Sequence, residues 1–426
     1  MQYGGYMRTE NSAPHTGPLD AFSLEELHQR TSVKWTAYDS AVLPMWVAEM
    51  DTSTVPAVTQ VVTQILQAGD TGYPGEHAVS VEQARTEFER TGHANYRMLP
   101  TYEHAYVAFA QERWGLSVDP AAIAAMPDVM QGIGHAVKML GVTDVAINTP
   151  VYAPFRFYSM AQGARVHEAS LTPQGRIDFA ALEEVFTKTS AYILCNPHNP
   201  SGVAHTPEEL EQVFALASKH DVRVIVDEIH APLTSPAAAL AQGRDPFTPA
   251  LSVPGSERAL VLFSAAKGFN LAGFKAALMI AGPGAVADLE LVPELVSHSS
   301  STVSVAAHTA ALVHGGQWLE QVRAGIDERR AQFIAGLAQV APQAVVMPAD
   351  ATYFAWVDFS QVRTAAGDLM DNDPAQYLLD QARVAFNSGL MFGRGGEGFV
   401  RVNLATSAEV IDEAVRRIGE AVASAS

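Results

Sequence analysis

Between about residues 120 and 290 the chain alternates short apolar runs with longer amphipathic stretches, and this alternation narrows the fold more than any other feature. The runs are Asp144-Val-Ala-Ile-Asn148, Ala191-Tyr-Ile-Leu-Cys195, Val222-Arg-Val-Ile-Val226, Ala259-Leu-Val-Leu-Phe263 and Ala276-Ala-Leu-Met-Ile280. Four or five nearly continuous apolar residues are the mark of a strand covered on both faces. Between the second and third runs, Thr206 is placed to cap a helix, Pro207 suits its first position and Glu209 completes a capping box. Leu210, Val213, Phe214 and Ala217 follow at helical spacing. Strand, helix and strand repeated in this way predict an α/β fold, with a mostly parallel sheet wrapped by helices and a ligand site beyond the carboxyl ends of its strands.

After about residue 300 the texture changes. A helical stretch with Trp318, Val322, Ile326 and Phe333 leads to apolar runs at 345–347, 353–357 and 399–404, then to a closing helix from roughly Ala408. This predicts a smaller α+β domain. The expected division is a loosely attached segment 1–20, a large domain over 45–300, and a small domain built from 21–44 and 301–426.

The 426 residues, 48% of them hydrophobic, are enough for two or three cored domains. Lys and Arg total 27 against 46 Asp and Glu, a formal charge of -19 that repels a nucleic-acid backbone yet allows a local basic pocket for one small phosphate. Cys195 is the only cysteine, so neither an internal disulfide nor a thiolate metal cluster is expected; it reads as a small buried hydrophobe on a strand and suits the cytosol. The first ten residues have no signal-type apolar core, and no apolar stretch reaches spanning length, so no membrane role is expected and a cytoplasmic location is. The histidines lack the two-on-one-face spacing of a hydrolytic zinc site, and no metal is expected.

Polar clusters stand directly after three of the predicted strands: Asn196-Pro-His-Asn-Pro200, Asp227-Glu-Ile-His230 and Ser264-Ala-Ala-Lys267. Together they match the needs of pyridoxal phosphate chemistry. Lys267 can form the imine and carry protons, Asp227 can keep the pyridine nitrogen protonated, and Asn199 can donate to the phenolic oxygen. Ser264, Lys275 and the backbone amides of Val129, Met130 and Gln131 at a helix start can hold the phosphate. Tyr152 is placed to stack on the ring, and Arg401 can pair bidentately with a substrate carboxylate. Taken singly, each has a plainer use: Lys267 as a solvated lysine, Asp227 as a cap, Asn199 as a loop amide, Arg401 as half of a structural ion pair. Those uses do not explain why the groups collect at strand ends.

Asn196-Pro-His-Asn-Pro-Ser-Gly202, Asp227-Glu-Ile-His230, Ser264-Ala-Ala-Lys-Gly-Phe-Asn270 and Arg401-Val-Asn-Leu-Ala405 resemble the aspartate-aminotransferase superfamily, fold type I of the pyridoxal phosphate enzymes. Leu43-Pro-Met-Trp-Val-Ala-Glu-Met-Asp51 and the histidine of Asn-Pro-His-Asn-Pro narrow the resemblance to the MalY/PatB branch of cystathionine beta-lyases and cysteine-conjugate lyases. The resemblance implies roles for Lys267, Asp227, Asn199 and Arg401 matching those above, counts His230 with the cofactor site, and implies a homodimer in which Tyr73 reaches the neighbouring subunit's phosphate. Three departures stand out. His230 replaces the tyrosine common in aminotransferases, Lys275 stands where the superfamily has a phosphate-binding arginine, and Asp128 puts a charge where a small residue is usual, either pointing away from the phosphate or capping amides. His198 reads as a loop hydrogen-bonding residue, and Trp46 either walls the substrate pocket or fills a gap.

The implied activity is beta-elimination from L-cystathionine or a related cysteine thioether, giving a thiol, pyruvate and ammonia. An aminotransferase and a non-catalytic regulator that retains the fold are the competing readings.

Overall fold

The computed structural model describes residues 17–73 and 79–422, and in it all five apolar runs become strands of one seven-stranded sheet. Its strands are β1 (Ile123–Met126), β2 (Asp144–Thr149), β3 (Arg165–Ser170), β4 (Ala191–Cys195), β5 (Arg223–Asp227), β6 (Leu260–Phe263) and β7 (Ala277–Ala281). The order across the sheet is β1-β7-β6-β5-β4-β2-β3. The strands from β2 to β6 pair in parallel, whereas β7 runs antiparallel to both β6 and β1. Every residue of β4, β6 and β7 is buried, as continuous apolar runs demand of strands covered on both faces.

Helices α1 (Val129–Met139) and α2 (Pro207–Lys219) flank this sheet, followed by α3 (Thr302–His314), α4 (Gly316–Val340) and α5 (Ala408–Ala421). The capping box of α2 forms as read: the Glu209 amide donates to Thr206 Oγ1 at 3.2 Å, and the Thr206 amide donates to Glu209 Oε2 at 2.9 Å. Its buried face is Leu210, Val213, Phe214 and Ala217.

A second, antiparallel sheet holds β8 (Val345–Val346), β9 (Phe354–Asp358), β10 (Asn387–Ser388) and β11 (Phe399–Asn403) in the order β10-β11-β9-β8. It has its own apolar core, which includes Phe333, Val357, Val402 and Ile411. The two cores meet inside α4, where Trp318, Val322 and Ile326 pack on the large one and Phe333 and Leu337 on the small one. Residues 302–326 therefore pack on the larger core, although they follow the change of texture at residue 300. At the other end of the chain, residues 1–16 lie outside the described residues, whereas Leu19 is buried and Asp20 pairs with Arg329 at 2.5 Å.

Leu43–Pro44 pair with Val384–Ala385, and the chain then crosses from the small core at Met45 to the large core at Met50. This crossing strap meets the Lys267 loop that follows β6, where Ala48 lines the site. Among the described residues, no helix is long and apolar enough to cross a membrane, and no group of three His, Cys, Asp or Glu is placed to hold a metal ion.

Candidate active site

At the carboxyl ends of β4, β5 and β6 lies a pocket of about 720 Å³, open mouth included, lined by Val129, Met130, Tyr152, Asn199, Asp227, His230, Ser264, Lys267 and Lys275. Three loops that are distant in sequence deliver its polar groups to one place because parallel strands end at the same edge.

The half-buried Lys267 donates from Nζ to the Ala48 carbonyl of the strap at 3.0 Å. Burial, then the cations Arg401 and Lys275, pull its ammonium down to about 8, which favours the neutral amine that a nucleophile or base requires. Asp227 is buried; one carboxylate oxygen accepts the Ile229 amide at 3.0 Å, while burial pushes the acid up to about 7. Such a carboxyl is short of positive charge, and a cationic ring nitrogen would supply it. His230 is wedged edge-on between Tyr353 and Phe354, its Nδ1 lacks a partner among the described residues, and burial holds it neutral.

Arg401 on β11 is buried and reaches into this arrangement from the smaller sheet. It donates to Asn199 Oδ1 at 2.9 Å, Asn387 Oδ1 at 2.5 Å and the Trp46 carbonyl at 3.2 Å, and its guanidinium lies 4.0 Å above the Phe354 ring. All three acceptors are neutral. Among the described residues no carboxylate lies within ion-pairing distance of Arg401, and its Nε has no partner, so the structural ion pair considered from sequence does not form. An arginine can only donate, so its bond to Asn199 fixes the amide carbonyl toward Arg401 and turns the amide NH₂ toward the pocket.

This donor set fits pyridoxal phosphate. Asn199 offers a free NH₂, Lys267 an amine, Asp227 an acid, Tyr152 a ring at the pocket wall, and Val129 and Met130 two amides at the start of α1 with no acceptor among the described residues. Ser264 is committed to its own turn, donating to the Ala276 carbonyl at 2.7 Å and accepting the Ala266 amide at 3.1 Å. Gln131 departs from expectation. Its amide is taken by Asp128 Oδ1 at 2.8 Å and its side chain faces solvent, because Asp128 acts as the N-cap of α1.

Residues 57–418 match the profile of the aminotransferase class I and II family. The chain belongs to that family. The "Putative cystathionine beta-lyase" of Mycobacterium tuberculosis is 41% identical over 433 residues, covering 95% of this chain and 98% of that one. Cystathionine beta-lyase PatB of Bacillus subtilis is 30% identical over 413 residues, covering 93% and 98%. A crystal structure of a protein from Corynebacterium diphtheriae, described as a putative PLP-dependent beta-cystathionase, superposes with a TM-score of 0.82 at 30% identity, covering 95% and 98%. These relatives place the chain in the MalY/PatB-like branch of the fold type I pyridoxal phosphate enzymes.

Within this aminotransferase-family site, several groups carry no sequence signal of the kind used above. Ala48 acts only through its carbonyl, which also accepts the Tyr353 hydroxyl at 3.1 Å. Asn387 sits in a two-residue strand without an apolar run and is found only by its bond to Arg401. Asn403 donates to the Val47 carbonyl at 2.7 Å and the Glu49 carbonyl at 2.6 Å, while Asn270 exchanges two bonds with the Met50 backbone, each 2.9 Å. The strap is thus fastened to the Lys267 loop on one side and the Arg401 strand on the other. Trp46 presents its carbonyl to Arg401 and packs its half-buried indole edge-on against Tyr38. His198 makes the loop bond expected of it, to Ser201 Oγ at 2.9 Å. Tyr73 lies outside the pocket with its side chain fully exposed, lining a separate cavity with Tyr96 and Tyr102; Pro74 and Gly75 of its turn fall outside the described residues.

Proposed function

We infer that this protein is a pyridoxal-phosphate-dependent carbon-sulfur lyase that cleaves L-cysteine thioethers, L-cystathionine among them, to a thiol, pyruvate and ammonia. The observation that carries the reading is the buried Arg401, held without a counter-carboxylate among the described residues and bonded to Asn199, which lines the same pocket as Lys267 and Asp227. A buried cation with only neutral partners is costly unless a ligand anion completes it, and an amino acid's α-carboxylate is such an anion.

Pyridoxal phosphate, when bound, supplies an electron-withdrawing ring conjugated to the substrate's α-carbon. Arg401 would hold the α-carboxylate, and Asn199, oriented by Arg401, would donate to the phenolic oxygen. Asp227 would give the pyridine nitrogen its counter-charge, Tyr152 would cover the ring, and Val129, Met130, Ser264 and Lys275 would hold the phosphate. Lys267 takes the α-proton on its neutral Nζ and returns it to the departing sulfur, which leaves as the thiol. Water then releases pyruvate and ammonia from the three-carbon remainder. The lyase outcome is favoured by the cystathionine beta-lyase relatives and by His230, neutral and enclosed by aromatic rings, where aminotransferases commonly have a tyrosine. The fully exposed Tyr73 side chain suits a homodimer in which it completes the neighbouring copy's phosphate site.

The test is a coupled assay of the purified holoenzyme with L-cystathionine and no keto acid. Equal amounts of thiol and pyruvate are expected; amino transfer that requires a keto acid, with no thiol, would replace the lyase reading by the aminotransferase one. Borohydride reduction followed by peptide mapping is expected to place a pyridoxyl group on Lys267, and its absence there would remove the cofactor assignment.

A further inference from the structure

The phosphate end of the pocket is electrostatically unusual. Two free amides, those of Val129 and Met130, begin the eleven-residue helix α1 and line the pocket wall, which is a favourable setting for an anion. The same wall carries Asp128. One of its oxygens takes the third amide, that of Gln131, at 2.8 Å, and the other lies 3.6 Å from Lys275 Nζ. Among the described residues Lys275 is the one cation at this end; Lys267 turns to the Ala48 carbonyl, and Arg401 bonds Asn199 without lining the pocket. One carboxylate and one ammonium leave the phosphate end close to neutral before any ligand arrives, with the helix start already partly answered by the carboxylate.

We propose that Asp128 sets the affinity for the phosphorylated cofactor, opposing the phosphate and sharing Lys275 with it. This rests on the pyridoxal phosphate reading of the pocket. A phosphate near dianionic charge meets a like charge on the same wall and has to draw Lys275 away from Asp128. The cap makes the arrangement persistent, since the Gln131 amide holds the carboxylate in place and swinging it outward would leave that amide without its acceptor. The cofactor is therefore held less tightly than the two amides and the lysine alone would hold it.

The test is titration of cofactor-free protein with pyridoxal phosphate and, separately, with pyridoxal, followed by fluorescence quenching and ligand absorbance, in wild type, Asp128→Asn and Asp128→Ser. Both substitutions keep a short oxygen acceptor for the cap and remove the charge. Pyridoxal phosphate is expected to bind on the order of tenfold more tightly to both variants, and the gain should shrink in about 1 M salt, where screening is strong. Pyridoxal, lacking the phosphate, should bind all three proteins alike. Lys275→Gln should cost more affinity in the Asp128→Asn background than in wild type, because there Lys275 is no longer shared. No gain in either variant, or an equal gain for pyridoxal, overturns the proposal while leaving the cofactor reading intact; wild type that binds neither ligand overturns both.

Discussion

Replacing Arg401 by glutamine is the sharpest perturbation of the proposed activity. The guanidinium is buried, lies over Phe354 and bonds three neutral acceptors, so a substrate carboxylate reaching it is removed from water and paired in one step. Glutamine is able to satisfy one of those acceptors but offers the carboxylate no charge. Loss of one member of a buried pair costs about 3–5 kcal/mol, which at about 1.4 kcal/mol per decade is a roughly 10²- to 10⁴-fold fall in kcat/KM. Arg401→Lys keeps the charge and loses the planar fork; giving up one charge-assisted hydrogen bond, about 1.5–3 kcal/mol, predicts a roughly ten- to hundredfold fall. The carboxylate is unchanged during the reaction, so most of the loss should appear in KM, with kcat less affected. The assay is steady-state pyruvate release over a wide range of cystathionine concentration, with circular dichroism to establish folding. A folded Arg401→Gln protein with kcat/KM within about threefold of wild type would refute the assignment of Arg401 to the carboxylate.

Two further outcomes follow from the same geometry. Burial raises the acids of Asp227 to about 7 and Glu228 to about 8, so folding favours their protonated forms; the stability they contribute is complete at low pH and is lost as pH rises through those values. Between about pH 6.5 and 8, denaturant unfolding of the cofactor-free protein should show a loss of roughly 2 kcal/mol, and Glu228→Gln should remove the larger share of that slope; a flat profile in wild type contradicts it. Lys267, lowered to about 8, acts in the opposite sense only above that pH. Asn403→Ala removes two bonds to the strap, at about 1 kcal/mol each, and should lower both the unfolding midpoint and kcat/KM; a loss of stability with unchanged kcat/KM would mean that the strap holds the fold without positioning the site.

How far the sequence could be read depended on whether a residue acts through its side chain's own chemistry. The sheet was legible because β4 to β7 are short, continuous apolar runs that only two-sided burial explains, and Asn199, Asp227 and Lys267 were legible because polar groups directly after such runs arrive at one edge. Gln131 lies away from the expected arrangement for a local reason: Asp128 caps the helix and takes its amide at 2.8 Å. The point at which the packing changes core was hidden because α4 keeps one helical period while its partners change from Trp318 to Phe333. The strap was invisible as a device because it works through carbonyls. Trp46, Val47, Ala48, Glu49 and Met50 each accept a side-chain bond, from Arg401, Asn403, Lys267 with Tyr353, Asn403 with Lys34, and Arg30 with Asn270 respectively. Any residue offers a carbonyl, so nothing in the identity of Ala48 marks it. Yet Lys267 is fixed to one sheet and Arg401 to the other, and the strap bonds both within three residues of backbone. A shift of the smaller sheet against the larger therefore has to stretch this ladder before it can separate the two groups, which makes the spacing between lysine and arginine a property of the strap as much as of either sheet.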